Sequence, residues 1–195
     1  MSAMDPVLDN SRCYKSLVAW NLVALTLALV ASIGSVYLSV GLGLKACPLC
    51  FYQRTFAIAA AIVLAMLLWQ NRLCSLLACL VTLPLAVSGL GVALFHVYLV
   101  QVGKLECPPA LFGLGDGPLQ SLTVFAALTI VCLAGAWAAR SSRSGVSAIL
   151  VVILVGTGAA WACIASAPPL PPAPKQPYDA VKQPFDMCRP PFRGE

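Results

Sequence analysis

Charge is what this chain has least of: its 195 residues include 12 Lys and Arg and 7 Asp and Glu, 10% in all, against 60% hydrophobic residues. A soluble domain needs far more charge to solvate its surface, so a bilayer must cover most of this one. The deficit is also patterned. No acidic residue falls inside the long uncharged stretches, which argues against the buried carboxylates expected along an ion path. The net charge of +5 is modest and scattered, without the aromatic interleaving of a nucleic-acid site, and nucleic acid is excluded as a partner. Histidine is nearly absent, with His96 alone. Zinc sites built from four cysteines usually need two close pairs, and Cys107 and Cys188 are single, which leaves Cys47 and Cys50 without a second pair of that kind.

What is present is a set of five uncharged stretches, Ser16 to Leu44, Thr55 to Asn71, Leu73 to Gly103, Gly117 to Ala139 and Ser144 to Pro174. A helix rising ~1.5 Å per residue needs roughly 20 apolar residues to cross ~30 Å of hydrocarbon, and its backbone must satisfy itself internally. The chain therefore reads as an all-α integral membrane protein, with spans expected at about 17–42, 51–70, 75–101, 119–139 and 145–166. The second span is the shortest in uncharged residues and must begin near Phe51, with Arg54 snorkelling to the interface. Residues 1–16 carry Asp5, Asp9, Arg12 and Lys15 and precede an apolar run longer than a signal-peptide core, so the first span is expected to be uncleaved and its leader cytoplasmic. From Pro168 onward the chain holds nine prolines in 28 residues, the composition of an extended arm. Residues 167–195 form this tail, which carries Cys188.

Alternation across five spans puts Cys47, Cys50, Cys107 and Cys188 on one face. Cys13 and Cys74 fall on the other, and Cys79, Cys132 and Cys163 fall within spans, where a cysteine behaves as a small hydrophobe. Disulfides persist outside the reducing cytosol, so the four-cysteine face is expected to be extracytoplasmic. The positive-inside rule agrees in part: Arg12, Lys15, Arg72, Arg140 and Arg143 lie opposite, against Lys45, Arg54 and Lys104 in the outer loops.

Cys47-Pro48-Leu49-Cys50 has the spacing that lets two thiols close a small disulfide ring and exchange it with another dithiol. Proline suits a helix start, so the second span can begin around Pro48 with the cysteines at the positive end of its dipole, which favours thiolate. Arg54 lies one helical turn beyond Cys50, where a guanidinium can face that sulfur or an anion formed there. His96, near the outer end of the third span, is expected at the same depth as a donor or proton carrier to a bound carbonyl compound.

Cys47-Pro48-Leu49-Cys50-Phe51-Tyr52-Gln53-Arg54 at the head of span two, with His96 in span three, resembles the bacterial disulfide bond formation protein B family over roughly residues 17–139. The resemblance implies a four-helix bundle, here with a fifth transmembrane helix, that takes electrons from a periplasmic thioredoxin-like thiol oxidase and delivers them to a quinone, ubiquinone or menaquinone, in the membrane lipid. It implies that Cys50 faces the quinone, that Arg54 and His96 help hold it, and that Cys47 completes the pair. The family's loop after span three usually carries both cysteines of a second redox pair, whereas here it carries only Cys107. The resemblance thus implies a partner elsewhere, and Cys188 is in reach, since about twenty extended residues at ~3.3 Å each span up to ~65 Å. Two other functions fit the same residues: a reductase like the vitamin K epoxide reductases, or a non-enzymatic protein gathering a soft metal with Cys47, Cys50, Cys107 and Cys188.

Overall fold

In a computed structural model, residues 6–73, 76–113, 115–139, 143–174, 176–179 and 184–192 are described. Cys74 and Arg140 lie outside them, as does the side chain of Cys13. The elements of the described residues are all helices: α1 Pro6–Val40, α2 Pro48–Trp69, α3 Leu76–Gln101, α4 Gly117–Ala139 and α5 Arg143–Ser166, with a short 3-10 turn at Leu111–Gly113. All five helices are long and apolar enough to cross a membrane. In α1 the apolar part is Ser16–Val40, and the helix continues toward Pro6 through the charged leader.

Helices α1 to α4 close into a ring. Each packs on the next and α4 returns to α1, while α5 lies outside the ring against α3. Lipid tails are as apolar as leucine, so close packing rather than hydrophobicity holds such helices together. Small residues make that packing possible. A Cβ on Gly89 of α3 would stand 2.1 Å from the Phe125 ring of α4, and one on Gly156 of α5 would stand 2.8 Å from the Pro84 carbonyl of α3. Ser88 adds a polar tie, its hydroxyl 3.0 Å from the Gly156 carbonyl. The outward faces carry Ile33, Ile130, Leu154 and other large apolar side chains, the surface expected of helices in lipid.

The two ends of the bundle differ. At one end Asn21 of α1 donates to the Leu73 carbonyl at 2.6 Å and lies 3.2 Å from the Cys79 thiol, a satisfied buried network. Exposed Trp69 and Trp137 close α2 and α4 there, as aromatic residues do at a membrane interface. At the other end α2 and α4 begin, α3 finishes, and the Pro-rich arm folds back over the bundle.

Candidate active site

The site begins with the local chemistry of a helix start. Cys47 is the N-cap of α2 and Pro48 its first residue, where a missing N–H costs nothing. The Cys47 sulfur accepts the Cys50 N–H at 3.2 Å, as a capping side chain does, and this folds the two sulfurs to 2.7 Å from each other. Both are free thiols. The hydrogen bond from the Cys50 thiol lowers the Cys47 pKa to about 5; burial opposes this and His96 reinforces it.

His96 projects from α3 into the gap between the two cysteine pairs. Its Nε2 lies 3.8 Å from the Cys47 sulfur and 3.7 Å from the Cys107 sulfur. The ring is 0% exposed and its Nδ1 has no partner.

Cys107 is joined to Cys188 across 81 residues. The register that joins them is set by their neighbours. Glu106 and Arg189 form an isolated antiparallel bridge, exchanging both backbone bonds at 2.8 and 3.0 Å. In antiparallel pairing the next residues inward face each other without hydrogen bonds and with their Cα atoms ~4.5 Å apart. Cys107 and Cys188 occupy those positions, with a Cα separation of 4.1 Å. The arm is pinned further by the Arg189 side chain, which donates to Glu106 Oε1 at 2.8 Å and stacks over the rings of Tyr178 and Phe185. Lys45 holds Asp186 twice, through its backbone N–H at 2.7 Å and its ammonium at 2.8 Å.

Beside the pairs, α1 and α4 part around a cavity of about 190 Å³. Cys50, Gln53, Arg54 and Ala57 of α2 line it, at positions i, i+3, i+4 and i+7 of one helical face. Most of the remaining wall is apolar and reaches exposed Val30 on the lipid-facing side of α1. Cys107 and Cys188 also touch it, whereas Cys47 and His96 are not part of the lining. The expected site residues therefore separate into two settings. Cys50 and Arg54 face the cavity, whereas His96 lies between the sulfurs of Cys47 and Cys107. The reason is geometric, because the ring on α3 points across the start of α2 while the cavity opens between α1 and α4.

Arg54 is tied to α1 by three bonds, Nε to Ser35 Oγ at 2.8 Å, Nη2 to the Ser35 carbonyl at 2.8 Å and Nη2 to Ser39 Oγ at 2.6 Å. Gln53 is the residue the sequence reasoning passed over. It is 4% exposed and its Nε2 has no hydrogen-bond partner. An unmade hydrogen bond of this kind costs about 1–3 kcal/mol. The signal was available, since Gln53 is a polar residue on the same helical face as Cys50 and Arg54.

Donor atoms of Cys47, Cys50, His96 and Cys188 all lie within 4.8 Å of one another, close enough to suggest a metal. The Cys188 sulfur is already bonded to Cys107, however, and three donors remain.

Comparison with known proteins gives the chain a family. The family described as disulfide bond formation protein DsbB matches residues 17–123, more than half the chain. The chain belongs to that family. A probable disulfide formation protein of Chlamydia trachomatis serovar D is 29% identical over 137 residues, which is 65% of this chain and 94% of the relative. One from Metapseudomonas resinovorans is 28% identical over 131 residues, 60% and 88% of the two chains. No solved structure matches. Membership in the DsbB family makes this a disulfide-forming membrane protein, an oxidoreductase by reaction class. The match ends within α4, so α5 and the arm that supplies Cys188 lie beyond it.

Proposed function

We propose that this DsbB-family protein re-oxidises a soluble thioredoxin-like dithiol oxidase and passes the electrons to a membrane quinone, ubiquinone or menaquinone, at the extracytoplasmic face of a bacterial inner membrane. The observation that carries the proposal is the sequence of contacts in space: the Cys107–Cys188 disulfide, His96 against it, Cys47 against His96, Cys50 against Cys47, and the cavity against Cys50.

The electrons move in steps that balance. A partner thiolate attacks the Cys107–Cys188 disulfide, and its second thiol releases the oxidised partner, leaving Cys107 and Cys188 reduced. One of these attacks the Cys47–Cys50 disulfide in turn, closing the outer pair and opening the inner one. His96 accepts the proton released at Cys107 and returns it near Cys47, a transfer that its two short sulfur distances favour. A bound quinone supplies the final two-electron, two-proton acceptance, and the inner disulfide re-forms.

The cavity residues fit that acceptor. A quinone is a flat apolar ring with two carbonyl oxygens that dissolves in lipid, and the cavity offers apolar walls, a lipid-facing side, and the polar side chains of Gln53 and Arg54 on the same helical face as Cys50. The test is to follow quinone absorbance when purified protein meets a reduced thioredoxin-like oxidase and a soluble quinone analogue. Wild type is expected to consume quinone and Cys50→Ala to consume none. Persistent consumption by Cys50→Ala, or none by wild type, would overturn the proposal.

A further inference from the structure

The donors gathered around His96 carry a chemistry that the electron path does not use. Donor atoms of Cys47, Cys50, His96 and Cys188 lie within 4.8 Å of one another, brought together by the head of α2, by α3 and by the arm. A zinc ion held tetrahedrally by thiolates at ~2.3 Å and imidazole at ~2.05 Å sets its donors ~3.6 to 3.8 Å apart. The Cys47 sulfur and His96 Nε2 already stand at 3.8 Å. Cys47 and Cys50, at 2.7 Å, must part by ~1 Å, and their two-residue spacing is one that zinc sites use. The Cys47 sulfur also accepts the Cys50 N–H at the start of α2, where the helix dipole stabilises thiolate.

The bond from Cys188 to Cys107 is what withholds the fourth donor. Two dithiols of the soluble partner, each leaving as a disulfide, reduce the outer and the inner pair in turn, and both pairs stay open when no electron acceptor follows. All four donors are then available together. Binding moves no electrons: three thiols release their protons to water, and three thiolates and one neutral imidazole take the ion. Cys50 and Cys188 both line the cavity, which extends to exposed Lys45, so an ion has a way in.

We infer that the protein with both pairs reduced binds one zinc ion on Cys47, Cys50, His96 and Cys188, and that the bound ion halts electron flow by occupying the sulfurs of both pairs. The site itself needs only open thiols, whereas its inhibitory role rests on the quinone function proposed above. His96 Nδ1 has no acceptor to fix the ring from behind. Losing such a partner typically weakens a metal site by about 10- to 100-fold, which makes this one reversible rather than structural.

The experiment reduces purified wild type with a phosphine, removes the phosphine, and titrates zinc against a competing coloured chelator. The control is the same protein with both pairs closed, verified by thiol mapping, because Cys79, Cys132 and Cys163 are free thiols in either state. One zinc per reduced chain and none per oxidised chain is expected, and cobalt(II) in place of zinc should give the visible bands of a tetrahedral thiolate site. Equal zinc in the two states, or none in the reduced one, overturns the site without recourse to any variant. Cys188→Ser and His96→Ala, both reduced, should each weaken binding by at least about 10-fold, whereas Cys107→Ser should stay within about threefold of wild type. Loss in Cys107→Ser with none in Cys188→Ser overturns the donor set. For the inhibitory role, zinc-loaded protein given reduced partner and quinone should consume quinone only after a chelator is added. Consumption unaffected by bound zinc overturns the inhibition. Metal-free wild type that consumes no quinone overturns the enzyme proposal and the inhibition with it, while one zinc per reduced chain still upholds the site.

Discussion

The inner and outer cysteine pairs reach the same end by opposite routes. Cys47 and Cys50 are brought together by three residues of local structure, a capped helix start with proline in its first turn. Cys107 and Cys188 are brought together across 81 residues by a single antiparallel bridge and the ion pairs around it. The inner pair is thus built into a transmembrane helix and cannot move without it. The outer pair is carried by a loop and an arm that are held to each other by contacts between residues far apart in the chain. The lesson is that one site combines a cysteine pair fixed by local helix structure with one fixed only by tertiary contacts.

The largest effect should come from severing the two. Cys188→Ser is expected to abolish oxidation of the protein partner while quinone reduction driven by a small dithiol, acting directly on Cys47 and Cys50, continues. Parallel assays with the two reductants check this, and equal loss in both would mean that the pairs are not separable.

Next in size, and confined to the rigid region, Gly89→Leu should force the Phe125 ring out of the α3 and α4 contact. The expected cost is about 1–3 kcal/mol, typical of overpacking a filled interior, read as a lower midpoint of thermal unfolding in detergent. The Cys107–Cys188 bond should remain intact in that variant on non-reducing mapping.

The thiolate tests the inner pair by pH. Cys47 has its pKa lowered to about 5 from 9.0, so in the reduced folded protein it is ionised where an unfolded thiol is not. Its contribution to the stability of the reduced form is complete above about 9 and is lost as the pH falls toward about 5. Thiolate ultraviolet absorbance should bleach through about pH 5 in wild type and be missing from Cys47→Ser.

Smaller again is the strap. Arg189→Ala removes the bond to Glu106 and the stacking on Tyr178 and Phe185, and should make the Cys107–Cys188 disulfide easier to reduce by about 1 kcal/mol. The midpoint of reduction against a dithiol buffer measures it. Asp186→Asn should have the least effect of all. Its carboxylate is held below the ordinary range by Lys45. The contact is at the surface, so its loss should be visible only at low salt.

Much of this was legible beforehand, but unevenly. The five helices follow from apolar length, and the start of α2 follows from Pro48 and its cysteines, because both are properties of neighbouring residues. The pairing of Cys107 with Cys188 was implied by resemblance and reach, yet nothing in the chain announced that Glu106 and Arg189 would set the register. His96 was expected at the depth of the start of α2, but its place between Cys47 and Cys107 came only with the structure. Depth along a helix can be counted from its end, but the direction a side chain faces depends on how that helix is rotated against its neighbours.

By itself, then, the sequence determined five helices apolar enough to cross a membrane and the cysteine-capped start of α2, since length, hydropathy and helix-capping act within a few residues. Only the tertiary structure decided that α1 and α4 part around Cys50, that Gln53 is left with an unmade bond, and that one histidine touches both cysteine pairs. Those outcomes depend on the packing of helices distant in the chain, where a small rotation decides which side chain meets which.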